Sequence, residues 1–381
     1  MNFELSETQK LIRDTARTFA KNVVAPKARE TDRKELFPAE TYKQMGELGL
    51  LGVNVPTEYG GAGAGVVSYA LAVMEISSAC CSTSVGMCVT NMCAELICQF
   101  GTEAQKQKHV SRLTSGEAVA GAFALSEPHA GSDPGAGRTT AVKKGDRWIL
   151  NGSKNFITQG TVGEIYVVLA STDKEKKTHG ISAFIVEKPS KGFSQKAIHG
   201  KLGMHASDTA ELVFEDVEVP EENLLGQLNH GFLDTLKVLD RGRISIGALG
   251  VGIARGCLEE ARAYALDRAQ FGKPIADFQA IQWMLADMAT ETDAARLLVH
   301  RAADLCDRGL SFTTEASMGK LFASEAAVRA GMKAIQIHGG YGYTREFPVE
   351  RYLRDVKLCE IGEGTNEVQR MLISRHLFAG A

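Results

Sequence analysis

The hydrophobic period of this chain changes twice, and that limits the fold more than any single motif. An amphipathic helix repeats its apolar face about every 3.6 residues and a half-buried strand every 2, so one segment cannot satisfy both. Up to about residue 119 the spacing is helical. From there to Gly226, short β-branched or aromatic runs lie between Gly, Asp and Lys turns: Val142, Trp148–Leu150, Ile165–Ala170, Ile181–Val186 and Glu211–Val217. From Gly231 long helical periods return over Phe232–Ala265, Asp277–Asp307 and Thr313–His338, broken at Gly309 and Pro348. The expected fold is α+β and multidomain: a helical domain over 1–119, an antiparallel β domain over 120–229 and a helical bundle over 230–381.

Local signals sharpen the first third. Ser6 with Gln9 and Thr102 with Gln105 read as capping boxes. The first opens a helix through Ile12, Ala16, Phe19 and Val23 that should end at Pro26, and the second opens a helix ending near Leu113. Another helix is expected from Pro38 to Leu48. Gly60–Gly65 matches neither the dinucleotide fingerprint nor the P-loop, because no strand–turn–helix surrounds it, and reads as a surface loop. Val66–Phe100 is small, apolar and nearly charge-free, as befits two core helices.

The net charge of −3 and the lack of a basic tract argue against nucleic-acid binding. No stretch is read as the roughly 18–20 apolar residues of a membrane span. MNFELSETQK does not resemble a signal peptide, so a cytoplasmic location is expected. Five of the eight cysteines fall between Cys80 and Cys98 without a CxxC pair. They read as small core residues, and no metal site is expected.

Several stretches are candidates for chemistry. In Leu358–Met371, Glu363 stands between Gly362 and Gly364, just before a helix start at Thr365 or Asn366. It is either a surface turn or a carboxylate base that a ligand can approach closely. Ser126 and Ser132, in the loop Leu125–Asp133, could meet a polar cofactor edge. Phe156 and Thr158 would share one strand face, offering a ring and a hydroxyl to a flat heterocycle, or forming a half-exposed strand. Asp240 and Arg243, three apart on a helix, form an ion pair or recognise a ligand. Arg268 and Phe271, with Phe278 and Gln279, suit pyrophosphate and aromatic contacts. Gln336, Gly339 and Gly340 allow close backbone approach.

Taken in order, ALSEPHAGSD, NFITQG, RAQFG, QIHGGYGYTREFPVERYLRD and EGTNEVQR resemble the acyl-CoA dehydrogenase family over essentially the whole chain. KLGMHASDT and FEDVEVP fit as well. The resemblance implies a helical domain, a central β-barrel-like domain and a C-terminal four-helix bundle, assembled as a homotetramer (a dimer of dimers). It implies FAD, with Phe123, Leu125, Ser126, Phe156 and Thr158 at the flavin and Thr158 near N5. Ser132 falls near cofactor and thioester. Arg268, Phe271, Gln279, Gln336, Gly339 and Gly340 fall at the pyrophosphate and adenosine end, partly from a neighbouring subunit. Thr365 and Glu367 fall near the pyrophosphate and ribose, and Asp240 and Arg243 on the CoA side.

In that family the residue matching Glu363 removes the α-proton of a CoA thioester. The carbonyl is polarised by its backbone N–H and a ribityl hydroxyl, and flavin N5 accepts the β-hydride. The product is a 2-enoyl-CoA, and an electron-transferring flavoprotein reoxidises the flavin. Some members of the family carry a larger residue, often Tyr, just before the base; Gly362 here should widen the acyl cavity for a branched or alicyclic group, unless other side chains refill the space. Gly364 lets the turn approach the ligand. Asn91 is expected beside the acyl cavity, where an amide rather than a second carboxylate favours plain α,β-dehydrogenation. The rival readings are an oxygen-using acyl-CoA or nitroalkane-type oxidase, and a non-catalytic FAD- or CoA-binding scaffold.

Overall fold

A computed structural model of the chain describes residues 4–379. Six helices come first: α1 Glu7–Phe19, α2 Ala25–Lys34, α3 Ala39–Glu47, α4 Gly65–Ala79, α5 Cys81–Phe100 and α6 Glu103–Thr114. Both capping boxes form, Ser6 with Gln9 and Thr102 with Gln105. Pro26 does not end the first helix as expected. A π-helical turn over Ala20–Val24 intervenes, and Pro26 falls in the first turn of α2, where no intrahelical donor is required.

The charge-poor segment forms α4 and α5 as expected. Every α5 residue from Cys81 to Ile97 is buried. By length and composition α5 could cross a membrane, which corrects the sequence expectation that no stretch qualifies. It serves instead as the core helix between the other layers, 94% buried over its most apolar window. All eight cysteines are free, and seven are buried.

The β domain holds β1 Gly121–Ala124, β2 Thr140–Lys144, β3 Arg147–Thr158, β4 Ile165–Ser171, β5 Ile181–Glu187, β6 Phe193–Ala197, β7 Thr209–Pro220 and β8 Leu224–Leu225. The sheet runs β6-β7-β3-β2-β4-β5-β8, with β1 against β4. It is not wholly antiparallel. β1 pairs with β4 in parallel, from Gly121 opposite Ile165 to Ala124 opposite Val168, and β2 touches β4 in parallel at Thr140. β1 arrives from α6 rather than from a hairpin, so it need not reverse against its neighbour. Along β4 the pleat serves two cores. Ile165, Val167 and Leu169 pack with α5 and α6, while Tyr166, Val168 and Ala170 pack with Trp148, Phe184 and Phe214.

The C-terminal helices are α7 Gly231–Asp267, α8 Gln279–Asp307, α9 Thr313–His338, α10 Val349–Val356 and α11 Asn366–Phe378. A small hairpin, β9 Ala269–Gln270 with β10 Lys273–Pro274, joins α7 to α8. The last helix, α11, has 13 residues against 37 in α7. α7 is the axis of the molecule, with α9 and α4 packed close on it. A Cβ at Gly250 would stand 2.9 Å from the Ala323 carbonyl oxygen, and one at Gly252 would stand 2.4 Å from that of Met74. Glycine is what allows both approaches.

Candidate active site

The turn before α11 carries the first group of candidates. Ile361 and Gly362 both donate their N–H to the Leu358 carbonyl, and Thr365 caps α11 by accepting from the Val368 N–H. Between them Glu363 and Gly364 take left-handed backbone, with φ of 55° and 83°. For glutamate that conformation costs about 1–2 kcal/mol. It turns the Glu363 side chain inward against α5 and α7. Oε2 lies 3.0 Å from the point where a Cβ would stand on Gly242, which is 3.9 Å from the Met92 sulfur.

Glu363 as a residue is half-buried, yet its Oε2 is wholly enclosed and has no hydrogen-bond partner. Burial pushes its carboxyl above the usual range, and the charges of Arg243 and Lys320 oppose that rise. This is the electrostatics of a usable proton acceptor rather than of a surface acid.

Asp240 and Arg243 form the ion pair expected from their spacing. Thr313 Oγ1 at the start of α9 donates to Asp240 Oδ2 at 2.6 Å. Arg243 is 9% exposed at its side chain, and its Nε is buried without a partner. One residue thus supports both readings, a structural pair and a charge facing Glu363.

A second group lies at the edge of the β domain. Half-buried Phe123 on β1 and the following Leu125 pack against the same buried cluster as Leu239 of α7. The next loop is anchored by a buried pair, Lys154 Nζ to Glu127 Oε1 at 2.8 Å. Lys154 also donates to the Leu125 carbonyl, and Glu127 accepts the N–H of Arg138 and of Thr139. This brace was not read from the sequence, where a lysine and a glutamate 27 apart give no local signal. Ser126 is half-buried and Ser132 exposed. Phe156 and Thr158 face outward around buried Ile157 as expected, but not on a regular strand. β3 bulges between Lys154 and Ile157, and Phe156 takes φ 57°. The bulge leaves the Phe156 ring 69% exposed.

The third group lines a crevice of about 530 Å³ at the C-terminal end of α9. It gathers Arg268, Gln270, His338, Gly339, Gly340 and Tyr341. A Cβ on Gly339 or Gly340 would meet nothing within 4 Å, and His338 Nε2 is buried without a partner. Arg268 lies over the Tyr341 ring at 5.7 Å. A cation and bare glycine backbone beside open space suit a pyrophosphate. These residues fit the phosphate-bearing part of a dinucleotide such as FAD, and Phe156 is not among the residues lining the crevice. Phe271, Gln279, Gln336 and Glu367 are exposed and do not line this crevice. Phe271 is 93% exposed, with its ring in a T-shaped contact with that of Phe278.

Asn91 is buried and has polar partners of its own. Its Nδ2 donates to Asn54 Oδ1 at 2.7 Å, and Asn54 in turn donates to Glu95, which pairs with Arg241. The amide is engaged in the N-terminal core, while Met92, one residue on, reaches the Glu363 side.

Further residues of the Glu363 turn were missed. Lys320 of α9 is fully buried and donates to the Gly364 carbonyl and to Asn366 Oδ1, each at 2.9 Å. Gln369 Nε2 donates to the same Gly364 carbonyl at 2.9 Å. A signal for Lys320 existed. It is a lone lysine on a stripe of small residues, Ala316, Ser317, Ala323, Ser324 and Ala327, all of them buried.

Comparison with known proteins agrees along the whole chain. Profiles of the acyl-CoA dehydrogenase N-terminal, middle and C-terminal domains match residues 6–117, 122–217 and 229–378. A short-chain-specific acyl-CoA dehydrogenase of Clostridium acetobutylicum is 49% identical over 99% of this chain and 100% of its own. The structure of butyryl-CoA dehydrogenase from Megasphaera elsdenii superposes with TM-score 0.96 at 43% identity, covering 99% of this chain and 100% of that one. A chain from a structural study of the electron transferring flavoprotein of Acidaminococcus fermentans, directed at flavin-based electron bifurcation, superposes with TM-score 0.98 at 48% identity. It covers 99% of this chain and 100% of that one. With the crevice and the enclosed carboxylate already in place, these matches show that the chain belongs to the acyl-CoA dehydrogenase family of FAD-dependent enzymes.

Proposed function

We propose that Glu363 removes the α-proton of a short-chain acyl-CoA thioester, giving the 2-enoyl-CoA. The enclosed, unpartnered Glu363 Oε2 carries this reading. A thioester α-proton is far too weakly acidic for an ordinary carboxylate in water. Two features of the chain narrow that gap. Burial raises the carboxyl, and a bound acyl group excluding water raises it further. The Glu363 N–H has no protein acceptor among the described residues, which leaves it free to hold the thioester carbonyl oxygen as negative charge develops. Bound FAD supplies the two-electron acceptor for the hydride leaving Cβ.

Thr158, Ser126, Phe123 and Leu125 would position the flavin, and Arg268, Gly339 and Gly340 its pyrophosphate. Phe271, Gln279 and Gln336 would serve a neighbouring copy, consistent with their exposure here, in a homotetramer. Thr365 and Glu367 would face the pyrophosphate and ribose. Asp240, Arg243 and Ser132 would meet the CoA side. An electron-transferring flavoprotein is the proposed oxidant, supported by the likeness to the Acidaminococcus chain.

For the acyl group, the named relatives favour a short chain. The nearest atoms to a Cβ on Gly362 would be those of Leu358, at 3.5 Å or more, so that position is not tightly packed. A branched or alicyclic acyl group therefore belongs in the test. The yellow protein is mixed anaerobically with a panel of straight, branched, dicarboxylic and cyclic acyl-CoAs, and the flavin absorbance is followed. Bleaching by a short acyl-CoA is expected. No bleaching by any member would refute catalysis and favour a scaffold. Rapid oxygen consumption on admitting air would favour an oxidase.

A further inference from the structure

Lys320 is an expensive residue for a helix core to keep. Its side chain is fully buried among small neighbours, and burial depresses its ammonium to about 8. Among the described residues it makes no ion pair within 4 Å, so no carboxylate compensates the desolvation directly. Its two acceptors are neutral, and both belong to one short stretch: the Gly364 carbonyl that ends the Glu363 turn, and Asn366 Oδ1 at the first residue of α11. An apolar side chain of similar length would fill the same volume at lower cost. What an apolar residue could not do is hold the turn.

The rest of the cradle points the same way. Ser324, one helical turn beyond Lys320, bonds Asn366 Oδ1 at 3.2 Å. Gln369 reaches back to the Gly364 carbonyl and, at 3.4 Å, to that of Glu363. The left-handed Glu363 is thus clamped from α9 and from α11 at the peptides that follow it. Relaxing it to ordinary backbone would relieve the left-handed strain but would swing the carboxylate away from α7.

We propose that Lys320 is a positioning residue for proton abstraction, holding the Glu363–Gly364 turn in its left-handed form so that the carboxylate stays aimed at the substrate. This rests on the reading of Glu363 as the base. Lys320 touches neither substrate nor cofactor in this account; it acts through the turn. Cys359, Glu360, Glu363 and Glu367 are the titratable groups that bear on it.

The test uses FAD-loaded protein, wild type and the variants Lys320→Met and Lys320→Gln, in anaerobic single turnovers with butyryl-CoA. Binding is read separately from the shift of the flavin spectrum with crotonyl-CoA. Lys320→Met is expected to keep stoichiometric FAD and to bind crotonyl-CoA within about 3-fold of wild type. Its flavin reduction should slow about 100-fold, the scale of a misplaced catalytic group. Lys320→Gln, which keeps a donor, should recover part of the rate. If wild type is not bleached, the base reading itself fails. If wild type is bleached and Lys320→Met reduces within 3-fold of it, only this inference is overturned. Should neither variant retain FAD, Gln369→Met, which removes the other side-chain donor to the Gly364 carbonyl, is measured in the same way. Reduction slowed about 10-fold or more with FAD and crotonyl-CoA binding kept supports the clamp, and a rate within about 3-fold of wild type overturns it.

Discussion

Replacing Gly242 by alanine should separate stability from rate. Gly242 lies inside α7, where alanine is favoured over glycine by up to about 1 kcal/mol. The added Cβ meets one close neighbour, Glu363 Oε2 at 3.0 Å, with Glu363 Cδ at 3.6 Å and the Met92 sulfur at 3.9 Å beyond it. A contact of 3.0 Å is too tight, so the carboxylate must give by a few tenths of an ångström. Because that atom ends a flexible side chain, the fold loses little. The reacting geometry loses more: an error of about 1 Å costs about 100-fold, so a shift of this size should cost about 10-fold. Thermal melting of Gly242→Ala should match or exceed wild type, with FAD stoichiometry unchanged. Stopped-flow flavin reduction by butyryl-CoA should fall about 10-fold. An unchanged reduction rate would refute the placement of Glu363 against α7. Loss of stability with loss of FAD would mean that Gly242 serves packing instead.

Lys154→Met leaves the buried Glu127 carboxylate without its cation, and should destabilise the protein by about 3–5 kcal/mol in urea unfolding. Asn91→Asp sets a carboxylate against the acceptors Asn54 Oδ1 and the Leu51 carbonyl. A loss of about 1–3 kcal/mol is expected, with the product double bond still between Cα and Cβ by NMR. Because burial raises the Glu363 carboxyl, the reductive rate should fall on the acid side at a pH above the ordinary glutamate value of 4.5. The same shift has a stability sign. A raised folded pKa means that the charged form is the costly one, so Glu363→Gln should gain stability over wild type as pH rises through that pKa. The gain should vanish near pH 4, which denaturation at pH 4 and pH 8 measures.

The parts of the fold legible in the sequence were those encoded locally. Two capping boxes, the charge-poor α4–α5 segment and the alternating β runs each carry their own signal. What escaped was decided across the chain. β1, GAFA, has no β-branched residue, and its parallel place beside β4 leaves no mark on either segment. β6, FSQKA, is too polar to stand out. Pro26 reads as a stop because nothing local announces the π-helical turn that absorbs it. At the site, Glu363 was conspicuous between two glycines, whereas its supports were not. Lys320 lies 43 positions away, and Gly242 matters only because α7 passes the carboxylate. Asn91 was placed by its segment, but a side chain's direction is set by its partners, here Asn54 and Leu51.

The claim that Glu363 is the base rests most directly on Glu363→Gln. Glutamine keeps the volume and the left-handed turn but cannot accept the α-proton. FAD-loaded Glu363→Gln and wild type are mixed anaerobically with butyryl-CoA, and the first-order loss of flavin absorbance is compared. The variant should bind crotonyl-CoA about as well as wild type, yet reduce its flavin more than about 1,000-fold more slowly. Reduction within about 10-fold of wild type would contradict the assignment and move the proton transfer to another group.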